Sequence, residues 1–206
     1  MIIDFHSHIL PGIDDGARNW DEFSAIARQA VEAGITHMVC TPHYIYKEAD
    51  FEPEKYYKLF AEAKRILKEL GLNIKLVPGS EVFYVPEVFS CLEKGLVVTI
   101  NGGNKYILLE FPQFDIPNNV EQIIYLLKIQ GVIPIIAHPE RNPAFSDDPG
   151  LLDSLLKKGA LAQLNAGSIV GESGKQVRKT AQSFIKAGMI HLLGSDVHTP
   201  KNPFQN

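Results

Sequence analysis

Five of the seven histidines in this 206-residue chain, His6, His8, His43, His138 and His198, fall in short polar runs that follow apolar ones. Glu81, Glu110 and Asp196 occupy similar places, and Asp14-Asp15-Gly16 follows the first such run. His6-Ser7-His8 is a pair of histidines two apart, a spacing that on a strand turns both imidazoles to one side. Asp196-Val197-His198 repeats the geometry far along the chain. Each piece alone has an ordinary reading. A lone histidine at a strand end is usually a satisfied polar residue, and Asp-Gly is a common turn signal. Gathered in one place, so many ionisable groups would be very costly to bury without a cation. Imidazoles mixed with carboxylates, and no thiolate, suit Mn, Fe or Zn; Mg is a poorer match for imidazole. Nine ligands are too many for one ion. Two or three divalent metals bridged by a carboxylate is the economical arrangement, and it points to hydrolysis of a phosphate ester. One ion would lower the pKa of a bound water while the others held the phosphoryl and leaving oxygens. Arg141, in His138-Pro139-Glu140-Arg141, offers a planar fork for a phosphate, against the ordinary reading of a solvated loop arginine. His37 and His191 lie at the opposite ends of their strands and receive no role.

These residues need elements to hold them, and the chain repeats one plan: a helix ends in glycine, an apolar strand follows, and polar residues come next. Phe23, Ile26, Ala27, Ala30 and Val31 recur at the 3.6-residue period over 21–33, with Gly34 as the stop. A second helix starts at Pro53 and runs through Phe60, Ala63, Leu67 and Leu70 to Gly71. Later helices stop at Gly95, Gly131, Gly159 and Gly188. Strands are expected over 2–5, 36–40, 74–77, 106–109, 133–136, 161–164 and 190–193, the fourth reached through a turn at Asn101-Gly102-Gly103-Asn104. Apolar strands without clean alternation, separated by helices, indicate a parallel sheet covered on both faces. Seven such strands fit either an open doubly wound sheet or a closed β/α barrel. The polar residues follow nearly every strand, and in a barrel those ends converge on one face. The expectation is therefore an α/β barrel, organised as a single domain over residues 1–206.

Composition narrows the function classes. Hydrophobic residues make up 45% and charged residues 21%, which is ordinary globular usage and not that of a disordered chain. A net charge of −4 gives no basic footprint for nucleic acid. No stretch approaches the roughly 18 apolar residues that would cross a membrane. The first residues, Met1-Ile2-Ile3-Asp4-Phe5-His6, lack a basic leader before an apolar run, so the expectation is a cytoplasmic protein. Two cysteines, Cys40 and Cys91, make no disulfide framework. A cysteine-dependent phosphatase needs an arginine six residues beyond its cysteine, where this chain has Tyr46 and Val97. Cys40 reads as an inert core residue. The glycine-rich nucleotide loops and the Gly-x-Ser-x-Gly elbow are missing too.

With these motifs assembled, the chain resembles the polymerase-and-histidinol-phosphatase (PHP) superfamily. Within it, the likeness is to the bacterial manganese-dependent protein-tyrosine phosphatases of capsule and exopolysaccharide synthesis. The matching stretches, in family order, are Asp4-Phe5-His6-Ser7-His8-Ile9-Leu10-Pro11, Asp14-Asp15-Gly16, Thr41-Pro42-His43, Pro78-Gly79-Ser80-Glu81, Tyr106-Ile107-Leu108-Leu109-Glu110-Phe111-Pro112, Ala137-His138-Pro139-Glu140-Arg141 and Ser195-Asp196-Val197-His198. The resemblance implies a distorted, TIM-like (β/α)7 barrel with its active site at the C-terminal ends of the strands, and three metals with Mn foremost. One metal would take His6, His8, Glu81 and Asp196. A second would share Glu81 and take Glu110 and His138. The third would take Asp15, in preference to Asp14, with His43 and His198. Arg141 matches the family's phosphate-binding arginine, and His43 and His198 join it in the catalytic set. The implied substrate is phosphotyrosine on the tail of a partner bacterial tyrosine autokinase.

One departure bears on activity. The family carries a second arginine five residues after the last histidine, then about forty more residues; here that position is Pro203, and the sequence given ends at Asn206. Lys201 does not reproduce a guanidinium fork. The expectation is a shortened flank that bears on activity, stability and oligomeric contacts more than on the metal site. Two other readings keep the same site: a small-molecule phosphatase acting on a compound such as histidinol phosphate, and a metal-bound scaffold with impaired turnover. The segments 44–47 and 111–117 are the expected rim of the pocket.

Overall fold

The computed structural model describes residues 1–47 and 51–200; Lys201 and Pro203 lie outside the described residues. Nine strands run through it: β1 (Ile3–Ser7), β2 (His37–Cys40), β3 (His43–Tyr44), β4 (Lys75–Pro78), β5 (Glu81–Phe83), β6 (Tyr106–Glu110), β7 (Ile133–Ala137), β8 (Leu161–Asn165) and β9 (Leu192–Gly194). Between them lie α1 (Trp20–Glu32), α2 (Pro53–Glu69), α3 (Val88–Glu93), α4 (Val120–Ile129), α5 (Pro143–Asp147), α6 (Pro149–Lys157), α7 (Ala166–Val170) and α8 (Lys175–Lys186).

Local chemistry explains the longer helices. Asn19 caps α1, its side-chain oxygen accepting from the N–H groups of Asp21 and Glu22 at 3.1 and 3.0 Å. Asp21 and Glu22 also place negative charge at the positive end of the helix. Helix α1 buries Phe23, Ile26, Ala27 and Ala30, and Gly34 ends it at φ +81°, a conformation a side chain would resist. Helix α2 opens on Pro53, whose missing N–H costs nothing there, and buries Tyr56, Phe60, Ala63 and Leu67.

All strand pairs in the two sheets are parallel, giving an α/β fold with orders β1-β2-β4 and β3-β5-β6-β7-β8-β9. The seven expected strands are present within one or two residues, and β3 and β5 are additions. Their origin is steric. Thr41-Pro42 interrupts the run after β2, and β4 ends at Pro78 before Gly79-Ser80. Proline has no N–H to extend a ladder. Beyond the two breaks the chains pair again, His43 opposite Glu81, with the Glu81 N–H donating to the Pro42 carbonyl at 3.0 Å.

The last strand lies beside the first. Ser7 bridges Val197 in parallel, the Asp196 N–H donates to the His6 carbonyl at 2.8 Å, and the His8 N–H donates to the Val197 carbonyl at 2.9 Å. The larger apolar cluster lies between sheet and helices and includes Met38, Cys40, Ile107, Leu109 and Ile136. A smaller one takes Phe5, Val39, Val77, Leu108, Ile135, Leu161 and Leu192, from β1, β2, β4, β6, β7, β8 and β9. Strand alternation sends neighbours such as Leu108 and Leu109 into different clusters. Among the described residues, no helix is long and apolar enough to cross a membrane.

Candidate metal centre

The site stands where strands end. His6 lies within β1, at a register shift between Asp4 and Ser7, an irregularity of the kind that re-aims side chains beside sites. His8, His138, Asp196 and His198 follow β1, β7 and β9; His43 and Glu81 open β3 and β5, and Glu110 closes β6. Among the nine expected ligands, His6, His8 and Glu81 are completely buried.

Their side chains meet in overlapping groups. His6 Nε2 lies 3.0 Å from His8 Nε2, 3.0 Å from Glu81 Oε2 and 3.4 Å from Asp196 Oδ1. His8 Nε2 is 3.3 Å from Glu81 Oε2 and 3.4 Å from Asp196 Oδ1. His43 Nδ1 lies 3.2 Å from Glu81 Oε2 and 3.5 Å from Glu110 Oε2. His138 Nε2 sits 2.9 Å from the other Glu81 oxygen. Asp15 Oδ1 is 3.6 Å from His43 Nε2 and 3.4 Å from His198 Nε2, while the His198 ring stacks on His8 with centroids 4.0 Å apart. Among the described residues, three sets have donor geometry for an ion: His6, His8 and Glu81; His43, Glu81 and Glu110; His8, Asp15, His43 and His198. Each set differs from the expected one: the first is without Asp196, the middle one has His43 where His138 was expected, and the third gains His8.

Asp14 and Asp15 separate by their surroundings. Asp14 accepts from the N–H groups of Gly16 and His43 at 2.9 and 3.0 Å, and its Oδ2 lies 2.7 Å from His8 Nδ1. Both its oxygens are thereby used in orienting the loop and the His8 ring. The Asp15 side chain, 71% exposed, points its oxygen between His43 and His198. Gly16 is required where it stands: an added Cβ would lie 2.0 Å from the His8 carbonyl oxygen.

Several supporting residues had not been singled out from sequence. Gln163 Oε1 is 2.9 Å from His6 Nδ1, which leaves His6 Nε2 free to face the group. The Gln163 amide donates to Asn165 Oδ1 at 2.9 Å, and Asn165 Nδ2 donates to Asp196 Oδ2 at 2.7 Å. Asp4 accepts from the N–H and hydroxyl of Ser195 at 2.8 and 2.6 Å, tying β1 to the chain after β9. Glu140 is buried, with Oε1 accepting from the Asn165 N–H at 3.1 Å and the Ser168 hydroxyl at 2.8 Å. Polar residues two apart at the end of an apolar strand, Gln163 and Asn165, were the available signal. His191 instead supports the sheet, its Nδ1 accepting from the Ala162 N–H at 3.2 Å.

Charge is concentrated here, and two of the expected ligands have left-handed backbone. Burial opposes charge on His6, yet the Glu81 and Asp196 carboxylates raise its pKa to about 9. His8 is likewise raised well above its usual value despite burial, by Asp14, Asp196 and Glu81. Burial, then the Glu81 charge, pushes Glu110 up to about 7. Burial lowers His43. His138 at φ +29° and Asp196 at φ +56° adopt left-handed backbone, costing on the order of 1–3 kcal/mol each. Burial pushes the Cys40 thiol up, in keeping with an inert core cysteine.

The residues present fit a metal. Glu81 Oε2 and His43 Nδ1 are buried without a hydrogen-bond partner, although other ring and carboxylate atoms crowd round them. Their lone pairs face a shared space, an arrangement that a cation between them satisfies. Arg141 borders the space, its guanidinium donating to Asp196 Oδ2 at 2.7 Å. Two cavities flank it and share Glu110: one of about 750 Å³ containing Asp15, His43 and Phe83, and one of about 240 Å³ containing His138, Arg141 and Asn142.

Residues 2–203 match the model of a family described as capsular polysaccharide synthesis, CpsB/CapC. The chain belongs to this family. Among curated CpsB/CapC relatives, it is 39% identical over 204 residues to the tyrosine-protein phosphatase YwqE of Bacillus subtilis, covering 97% of this chain and 78% of YwqE. A crystal structure from work on YwqE and on CpsB of Streptococcus pneumoniae, described as unique metal-dependent tyrosine phosphatases, superposes with TM-score 0.94 at 36% identity. That match covers 98% of this chain and 81% of the other. Histidinol phosphate phosphatase from Lactococcus lactis shares the fold, at TM-score 0.60 and 12% identity over 97% of this chain and 87% of its own.

Proposed function

We propose that this chain is a cytoplasmic, metal-dependent protein-tyrosine phosphatase that acts on the phosphotyrosine tail of a bacterial tyrosine autokinase and so regulates capsular or exopolysaccharide synthesis. The observation that carries the reading is the unpartnered, buried pair Glu81 Oε2 and His43 Nδ1 among five imidazoles. The similarity to YwqE supports the choice of phosphotyrosine. Two free, buried cysteines accord with a reducing compartment.

We read the two sheets as one distorted (β/α)7 barrel in a single domain, β2 with β3 and β4 with β5 each being one interrupted strand. The pairing of Ser7 in β1 with Val197, just after β9, and the apolar cluster drawn from seven strands support closure. The ligands would be His6, His8, Glu81 and Asp196 for one ion, Glu81, Glu110 and His138 for another, and Asp15, His43 and His198 for a third. The proximity of His43 to Glu110 would let His43 join Glu81 and Glu110 in holding the second ion. Manganese is the expected metal. Bound divalent ions would supply Lewis acidity and an activated water at neutral pH. Arg141 would turn its fork from Asp196 to the phosphoryl oxygens and steady the charge that develops on them. His43 and His198, which face Asp15, would join Arg141 in the catalytic set. Asp14, Gln163 and Asn165 keep the rings and Asp196 in place.

The test is phosphate release from a phosphotyrosine peptide with Mn²⁺ supplied. His6→Ala and His138→Ala each abolish release, with the far-ultraviolet circular dichroism of the wild type retained. Wild-type rates in either variant would refute the reading.

A further inference from the structure

The parallel register places a second row of side chains directly beyond His43 and Glu81. On β5, Phe83 is two residues beyond Glu81, so its side chain leaves the same face of the strand. On the neighbouring segment, Ile45 stands two residues beyond His43, and His43 is the register partner of Glu81. On the other side Phe83 is the register partner of Glu110. The inner row thus carries His43 and Glu81, and the outer row carries Ile45, Phe83 and Glu110. Ile45 and Phe83 are half-buried, and with Phe51 they line the cavity of about 750 Å³ that also contains Asp15 and His43. Phe51 is held in place by ring contacts with Tyr44 and Tyr56, centroids 5.5 and 5.7 Å away.

We propose that Ile45 and Phe83, backed by the buried Phe51, form an aryl shelf that receives the ring of an aromatic phosphate ester, so that the chain selects aryl over alkyl phosphates. The inference rests on the phosphatase reading and adds to it the residues that choose the substrate. A phosphoryl group seated over the inner row places the next atoms of its ester beside the outer row. A flat ring there covers Phe83 and Ile45 and loses its own contact with water; the short methylene of phosphoserine reaches neither. The smaller cavity is a poorer seat for a ring. Its aromatic side chains, Phe111 and Phe145, are themselves buried in the core, and Gln113, Arg141 and Asn142 supply polar groups.

The test compares Mn²⁺-loaded wild type with Phe83→Ala, Phe83→Tyr and Ile45→Ala. Two quantities are read: the ratio of kcat/KM for phosphotyrosine and phosphoserine peptides of one sequence, and the ratio of equilibrium dissociation constants for methylphosphonate and phenylphosphonate by calorimetry. Wild type prefers the aryl compound in both. Phe83→Ala and Ile45→Ala each reduce both preferences roughly tenfold, and Phe83→Tyr, which keeps the ring, restores most of the preference. Equal handling of aryl and alkyl compounds by wild type, or unchanged ratios in both alanine variants, would overturn the shelf and leave a metal-dependent phosphatase standing. Absence of chelator-sensitive release from either peptide by wild type would instead overturn the phosphatase reading. Should Phe83→Ala not fold, Ile45→Ala decides the matter.

Discussion

At the scale of single residues, the centre is organised by groups that do not themselves face the shared space. Glu140 is the clearest. Its buried carboxylate fastens the His138–Arg141 turn to Asn165 and Ser168, and the Asn165 side chain in turn holds Asp196. Glu140→Ala leaves the buried Asn165 N–H and Ser168 hydroxyl without their acceptor, a loss of about 1–3 kcal/mol in stability, with a lower kcat. Glu140→Gln keeps an acceptor and recovers part of both, as thermal melts and initial rates will register. A second expectation concerns protons. In the metal-free protein His6 keeps its proton to about pH 9, above the usual 6.5, because Glu81 and Asp196 outweigh burial. A ligating imidazole must be neutral, so ion uptake near pH 7 expels protons from His6 and from His8, which is raised as well, and affinity climbs as pH rises above 7. Titration in weakly buffered solution should register protons released as the ion held by His6 and His8 binds. Uptake without release, or affinity that falls as pH rises, would contradict this charge balance.

At the scale of elements, the ligands are accurate because strand ends and tight turns deliver them. Gly16 shows how little room there is, since its missing side chain allows the Asp14–Asp15 loop to lie on the His8 backbone. Gly16→Ala forces that loop away, destabilises the fold by about 1–3 kcal/mol and weakens ion binding more than a comparable change on an exposed helix. Ion-dependent melting of the variant measures both effects. The elements were largely legible in the sequence because their signals are local: Gly34 stops α1, Pro53 starts α2, and apolar runs mark seven strands. The breaks that create β3 and β5 were less legible. Thr41-Pro42 and Pro78-Gly79 could be seen, but resumed pairing beyond them depends on two chains bending together. The candidate ligands were readable from residue type and from position after a strand. Gln163 and Glu140 were not, since their roles depend on partners brought near only by the fold.

At the scale of the molecule, a parallel α/β scaffold gathers carboxylates and imidazoles from both ends of the chain, with Asp4 and Ser195 joining those ends directly beneath the site. The two cavities that meet at Glu110 give a substrate room to extend on either side of the centre. That breadth favours a polypeptide tail over a compact metabolite. The most direct measurement is the initial rate of phosphate release from a phosphotyrosine peptide with Mn²⁺, before and after chelation, with histidinol phosphate assayed alongside. Release from the peptide that chelation stops and added Mn²⁺ restores, with little from histidinol phosphate, is the predicted result. Release that survives chelation, or turnover of histidinol phosphate alone, would contradict the account.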